Sequence, residues 1–311
     1  MDREQEEMKS LGLFGVYKES YKIIFSWRKI FSQITLTLIL PLSFSFLIHI
    51  EVSNVLFKNL MSSTEQMLSS EWATFWLFKL FYFTFLLIFS LLSTSAVVYT
   101  IASIYIAREV TFNKVMSVLP KVWKRLVVTF LCISFALFAY SIIALLVTSM
   151  LIFGVHSDGM ETLVIMVIFY LAGLVYLSGM WQLAIVVSAL EDSLGLEAMR
   201  KSKKLIKGKM GLLMLIVLKL TVSCVLIQFL FNKVVLHGWR LLGSLDRTAF
   251  GILCFLLLSL FFLLMLVLQT VLFFICKSYH HENVDKYALS DCLEKYEPWK
   301  AKGVQLEPVT N

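Results

Sequence analysis

The sequence predicts an all-α, polytopic membrane protein with about six transmembrane helices. Hydrophobic residues make up 59% of the 311 residues and charged residues only 16%, whereas soluble domains have roughly 45–50% and 25%. The apolar residues gather into six stretches, each long enough to supply the roughly 20 residues that cross a bilayer as a helix. The stretches lack the period-two alternation of a transmembrane barrel.

The six apolar stretches divide the chain into predicted spans. They cover roughly residues 30–50, 75–107, 126–154, 161–190, 210–231 and 248–277. The second stretch would be about 50 Å long as a straight helix, so we expect it to tilt or to project beyond the roughly 30 Å hydrocarbon core. Pro41 predicts a kink in the first span. The predicted regions are an N-terminal segment (1–29), a membrane domain (30–277) and a C-terminal tail (278–311).

The distribution of Lys and Arg predicts the orientation. The N-terminal segment, the loops after the second and fourth stretches and the C-terminal end hold 22 of these residues. The other three loops hold five, namely Lys58, Lys79, Lys233, Arg240 and Arg247. Because basic loops stay in the cytosol, both termini are predicted to be cytosolic, in a plasma membrane or an endomembrane.

Several classes of function lack support in the sequence. No span carries a nucleophile–base pair or a cluster of His and Asp, so we expect neither an enzyme nor a cofactor. The tail residues His280, His281, Glu282, Asp285 and Cys292 do not have the spacing of a zinc site, and we expect no metal. The net charge of +7 belongs to loops that flank the membrane, so nucleic acid is not an expected partner.

Three cytosolic segments share an amphipathic pattern. Residues 13–25, 112–123 and 198–206 each place an apolar stripe opposite basic side chains at helical spacing. Such helices are suited to lying in the headgroup plane. We therefore predict three units, each an interfacial helix followed by a hairpin of two spans, as a weak internal repeat.

The basic segments are candidates for contact with the anionic lipids of the cytosolic leaflet. Each charge near such a surface contributes on the order of 1 kcal/mol of attraction. The alternative is that these charges only determine topology. Phosphorylation of Ser202, which follows Arg200 and Lys201, would weaken lipid contact by adding negative charge. The candidate residues are Arg200, Lys201, Lys203, Lys204, Lys207, Lys209, Lys121, Lys124 and Arg125.

Two further groups of polar residues have competing interpretations. Lys219, inside the fifth span, could form an intramembrane polar site with Gln182 and Gln269, or it could extend its ammonium toward the cytosolic face. Glu191 and Asp192, after the fourth span, could be a catalytic carboxylate pair or an ion site. Their alternative role is to begin the next helix, with Asp192 or Ser193 as its cap.

Two resemblances rest on particular segments. Residues 179–208 end a span at Glu191 and open a basic helix with Glu-Ala-Met-Arg-Lys-Ser, and they resemble the membrane domain associated with bacterial glycerophosphodiester phosphodiesterases. Nearly the whole chain, including residues 15–29, resembles a plant family of uncharacterised six-span transmembrane proteins, some of them labelled polyadenylate-binding-protein-binding. The chain has no soluble phosphodiesterase domain, and residues 279–311 lack the Leu-x-Pro-x-Ala-x-x-Phe-x-Pro peptide that binds polyadenylate-binding protein.

Two functional hypotheses follow. The first is a non-enzymatic membrane protein that organises the membrane, serves trafficking or recruits partners through its basic helices. The second is a transporter or channel for a small solute or a lipid. The sequence names neither a protein partner nor an oligomeric state.

Overall fold

A computed structural model describes residues 12–62, 68–154, 159–236 and 244–280, and no strand occurs among them. The predicted all-α class is therefore confirmed. Two short π segments, Thr35–Ile39 and Phe231–Leu236, continue the helices that precede them. The α-helices are α1 (Leu13–Ser26), α2 (Arg28–Ile34), α3 (Leu40–Ser62), α4 (Leu68–Tyr105), α5 (Phe112–Gly154), α6 (Gly159–Leu190), α7 (Leu196–Ile206), α8 (Met210–Leu230) and α9 (Ser244–Tyr279).

Six helical segments among the described residues are long and apolar enough to cross a membrane, as predicted. Their outer surfaces carry large apolar side chains, such as Phe81 and Phe135, which are 71% and 73% exposed. An apolar surface of this extent would be a liability in water and is suited to contact with lipid. The chain is a multi-pass membrane protein. The spans are Arg28–Leu56, Trp72–Tyr105, Phe112–Met150, Leu163–Leu190, Met210–Val235 and Leu245–Tyr279.

The helices pack most closely at one end of the bundle. Every residue of 93–103, 183–190 and 266–276 is buried, and these segments end the second, fourth and sixth spans. The first of them is rich in small residues that let helices approach. Four of its hydroxyls, those of Ser93, Thr94, Ser95 and Thr100, donate to carbonyl oxygens of their own helix, as when Ser95 Oγ donates to the Leu91 carbonyl at 2.7 Å. This end, which also carries α1 and α7, is called the basic end below.

Two of the three predicted amphipathic segments form separate helices, α1 and α7. The third does not, because residues 112–123 are the first turns of α5, a continuous helix of 43 residues that includes Pro120. The prediction of a separate helix there is wrong, and the three-unit repeat is only approximate. The apolar stripe of this segment is buried, with Val115 at 0% and Leu119 at 3% exposure. It packs against the bundle, which favours continuing the helix over laying it on the membrane.

The first span has an irregular turn near its proline, and three basic residues lie in spans although the sequence predicts them in loops. The π segment Thr35–Ile39 ends two residues before Pro41, where the missing N–H interrupts the regular hydrogen-bond pattern. Lys79, Lys233 and Arg247, which the sequence assigned to loops, lie inside the helical spans. They sit toward the span ends remote from the basic end, where a long side chain can reach the interface.

Candidate functional site

Glu191 is the centre of an ion-pair network at the basic end. It follows the last residue of α6, and its side chain is only 12% exposed. Its Oε1 accepts a hydrogen bond from Lys277 Nζ of α9 at 2.6 Å. Its Oε2 lies 2.6 Å from Lys201 Nζ of α7. One carboxylate therefore joins the ends of three helices.

Arg125 connects α5 to the same loop. Its Nη2 donates to the Glu191 carbonyl oxygen at 2.6 Å, and its Nη1 donates to Asp192 Oδ1 at 3.1 Å. The prediction that Asp192 or Ser193 caps the next helix is wrong, because the N-cap of α7 is Gly195 and no side chain caps it. Both carboxylates instead hold the ends of neighbouring helices.

A buried hydroxyl pair fixes the position of the loop between α6 and α7. Thr129 Oγ1 donates to Ser188 Oγ at 2.8 Å and accepts from the Gly195 amide at 3.1 Å. The φ of 53° and ψ of −118° at Gly195 match the first central residue of a type II′ turn, which favours glycine. A hydrogen bond of 3.0 Å from Glu197 N to Leu194 O closes this turn. The direction in which α7 leaves α6 is thus set by local backbone geometry.

The network controls the ionisation of Glu191. Burial raises the pKa of this carboxyl, but the hydrogen bonds from Lys201 and Lys277 and the positive charges of these two lysines together outweigh burial and hold the pKa below its ordinary value of 4.5. The ionised carboxylate is therefore the form that the folded protein favours.

This lowered pKa predicts a pH dependence of stability. A carboxyl whose pKa is lower when folded stabilises the protein above its unfolded pKa, and the contribution is lost as pH falls through the folded pKa. We expect the thermal unfolding midpoint of the detergent-solubilised protein to fall as pH drops below about 4.5. Glu191→Gln should remove part of that slope. Circular dichroism measured from neutral pH to about pH 3 would test this, and identical slopes in the two proteins would contradict it.

Helix α7 separates an apolar face from a basic one, as its periodicity predicts. Ala198, Ser202, Leu205 and Ile206 are buried against the bundle. The Ser202 hydroxyl is 0% exposed and donates to the Met180 carbonyl of α6 at 2.9 Å. The phosphorylation hypothesis for Ser202 therefore fails, since a kinase could not reach this hydroxyl in the folded protein. The basic face is exposed and carries Arg200, Lys203, Lys204 and Lys207.

A groove runs beside this basic face and has a volume of about 570 Å³. The His280 ring, at the end of α9, forms part of its wall, with Nε2 3.1 Å from the Leu205 carbonyl oxygen. Because a carbonyl only accepts, Nε2 is the donor. The lining residues are Glu197, Arg200, Lys201, Lys204, Leu205, Lys207 and His280.

The remaining candidates for headgroup contact have different environments. Lys121 and Lys124 are exposed on α5, whereas Arg125 is engaged by Glu191 and Asp192. Lys209 Nζ lies 5.5 Å from the centre of the Tyr279 ring. The structure thus brings the α7 cations together with the end of α9 and leaves Lys121 and Lys124 on another helix. Lipid contact by each of these residues stays a prediction.

Lys219 lies on the surface of its helix, and its Nζ is 5.5 Å from the centre of the Tyr17 ring of α1. Tyr17 belongs to the basic end, so this geometry favours the interpretation that Lys219 extends toward that interface. Gln269 is buried at 5% exposure, and Gln182 is half-buried. A polar site shared by Lys219, Gln182 and Gln269 stays a prediction.

A polar cluster that the sequence pattern did not predict lies between the first two spans. Lys79 Nζ donates to His49 Nε2 at 2.8 Å and to Ser53 Oγ at 2.9 Å. The His49 ring also stacks on Tyr82, with ring centres 3.7 Å apart. One signal was available, because Lys79 falls inside the second apolar stretch and His49 inside the first.

The sequence matches the family described as "Domain of unknown function (DUF8558)" over residues 1–309. No curated protein and no solved structure matches it. The family description names no activity, substrate or partner. The resemblances to the plant six-span proteins and to the bacterial membrane domain stay predictions.

Proposed function

The chain belongs to the DUF8558 family of unknown function, and we propose that it is a non-enzymatic membrane protein that binds anionic lipid at its basic end. In this role it organises the cytosolic leaflet or recruits partners to it. The observation that carries the proposal is the exposed basic face of α7. Its cations project from a helix whose opposite face is buried in the bundle.

The structure supports this role through the arrangement of charge. The apolar stripe of α7 is buried against the bundle, so little of it remains to insert into lipid. Attraction to a membrane surface therefore depends on Arg200, Lys203, Lys204 and Lys207. In the described part of the chain none of these four has an ion-pair partner. Their charges are available to headgroups, and both termini lie on the cytosolic side under this proposal.

We expect the full chain, purified in detergent, to retain phosphatidylserine in preference to phosphatidylcholine with the same acyl chains. Replacing Lys203, Lys204 and Lys207 together with Gln should reduce that preference. At about 1 kcal/mol for each charge, the reduction could approach a hundredfold. Native mass spectrometry of the lipid-bound protein would measure it.

The matched control changes the same three residues to Arg. This variant keeps the charge, so it should keep the preference for phosphatidylserine. Raising the salt concentration should weaken the preference of the wild-type protein, because exposed charges are screened. Equal retention of the two lipids by the wild-type protein at low salt would contradict the proposal.

A transporter or channel is the second candidate function, and the Lys79–His49 pair is the observation that favours it. Ionisable side chains within membrane helices are costly, and they often belong to solute or proton pathways. Solute flux across liposomes that contain the protein, lost in a Lys79→Met variant, would favour this candidate over lipid binding.

A further inference from the structure

The groove beside α7 has the dimensions of a small-molecule site. Its volume of about 570 Å³ lies within the range of roughly 300–1,000 Å³ typical of ligand pockets. Its walls come from separate parts of the chain, because α7 supplies the basic side and the end of α9 supplies His280. The groove is thus a feature of the folded bundle and not of one helix alone.

The cations around the groove differ in whether they already have an ion-pair partner. Lys201 is paired with Glu191 at 2.6 Å. Arg200, Lys204 and Lys207 have no ion-pair partner among the residues that the structure describes. Glu197 is the one carboxylate in the lining. Three available cations therefore face a groove that holds a single opposing charge.

The groove is held on fixed elements. His280 Nε2 donates to the Leu205 carbonyl, and Lys209 lies over the Tyr279 ring. Gly208, which precedes Lys209 in the chain, has a φ of 99°, a conformation that glycine adopts without steric cost. A backbone held this way loses less freedom when a ligand binds than the backbone of a mobile loop.

A phosphomonoester is the ligand chemistry that fits these charges. It carries about two negative charges and three acceptor oxygens, whereas the phosphodiester of an ordinary phospholipid carries one charge. Arg200 can bind two phosphate oxygens at once through its planar guanidinium, and Lys204 and Lys207 can each neutralise charge. An alternative role for the lysines is to stabilise the C-terminal end of α7.

We propose that this groove binds a phosphomonoester carried on a polar headgroup, and that Arg200, Lys204 and Lys207 hold the phosphate. The inference rests on the proposed function and names the ligand class of the same basic face. The ligand is a phosphorylated lipid headgroup or a free polyol phosphate, which share this chemistry. Lys29 of α2 is an exposed lysine that does not line the groove, so it provides the control.

The test uses the purified full chain in detergent, titrated with three probes and followed by isothermal calorimetry. Dioctanoyl phosphatidylinositol monophosphate carries a phosphomonoester, and dioctanoyl phosphatidylinositol is the same lipid without it. Inositol bisphosphate is the free counterpart. We expect the monophosphate lipid to bind at least about tenfold more tightly than phosphatidylinositol. Arg200→Gln and Lys204→Gln should each remove most of that difference, and Lys29→Gln should preserve it.

The thermal unfolding midpoint of each variant shows whether it remains folded, and we expect all three to match the wild type because the substituted side chains are exposed.

Tight binding of the lipid but not of inositol bisphosphate would support a membrane ligand. Tight binding of both would support a soluble one.

If Arg200→Gln and Lys29→Gln have equal effects on selectivity, or if the two lipids bind equally, the groove inference is overturned. The proposed function would survive that result as long as phosphatidylserine is still preferred to phosphatidylcholine. Equal binding of those two lipids would instead contradict the proposed function.

Discussion

Replacing Glu191 with Gln is expected to lower the free energy of unfolding by about 3 kcal/mol. Removing one member of a buried ion pair typically costs about 3–5 kcal/mol, because the remaining charge is left uncompensated. Lys277 would be that charge, since its side chain is only 20% exposed. The estimate takes the lower end of the range because Lys201 is 38% exposed and can turn to solvent. Thermal unfolding in detergent, followed by circular dichroism, measures the loss.

Two further variants separate the network from a general effect of charge. Asp192 is 64% exposed where it pairs with Arg125 at 3.1 Å, so Asp192→Asn should cost less than about 1 kcal/mol. Adding Lys277→Met to Glu191→Gln should recover stability, because no uncompensated charge then remains at that position. If Glu191→Gln is no more destabilising than Asp192→Asn, Glu191 does not hold the helix ends together.

Replacing Gly195 with Ala is expected to cost at least about 2 kcal/mol. Its positive φ of 53° strains any residue with a side chain, at a cost of about 1–3 kcal/mol. A Cβ atom at this position would also lie 2.9 Å from Cys132 Sγ of α5, so the loop or α5 would have to move. Because this loop positions α7, the variant should also weaken phosphatidylserine binding. The unfolding midpoint and lipid retention measure the two effects.

Gly211→Ala is the matched control for Gly195→Ala. Gly211 lies within α8, and a Cβ atom there would meet nothing within 4 Å. Alanine is more favourable than glycine in a helix by up to about 1 kcal/mol, so this change should be neutral or stabilising. Cys132→Ala, added to Gly195→Ala, should relieve the steric contact but not the backbone strain. Equal stability of Gly195→Ala and Gly211→Ala would contradict the turn assignment.

The class of the fold and the number of spans could be predicted because a bilayer is a uniform apolar solvent. A helix that crosses it needs only sufficient length and apolar composition, and both are local properties. Helical periodicity also located the two faces of α7. Periodicity does not show whether an apolar face contacts lipid or protein. It therefore predicts that the stripe at residues 112–123 contacts the membrane, whereas in the structure this stripe packs on the bundle.

The candidate site could be predicted only in part. The cations of α7 are close together in the sequence, and their spacing places them on one face. The partners of Glu191 could not be found in this way, because Arg125 and Lys277 are 66 and 86 residues distant. His280 faces the groove across a similar separation, 75 residues from the Leu205 carbonyl that it contacts. Such contacts depend on which helix ends meet.

The sequence by itself determined an all-α membrane protein with six spans and a concentration of positive charge in four of its flanking regions. Only the tertiary structure decided that Glu191 joins the ends of several helices, that Ser202 is buried and that three cations of α7 border a groove completed by α9. The physical reason is the range of the interactions. Partition into lipid acts on each helix separately, whereas ion pairs and grooves require side chains from distant segments within a few ångströms of one another.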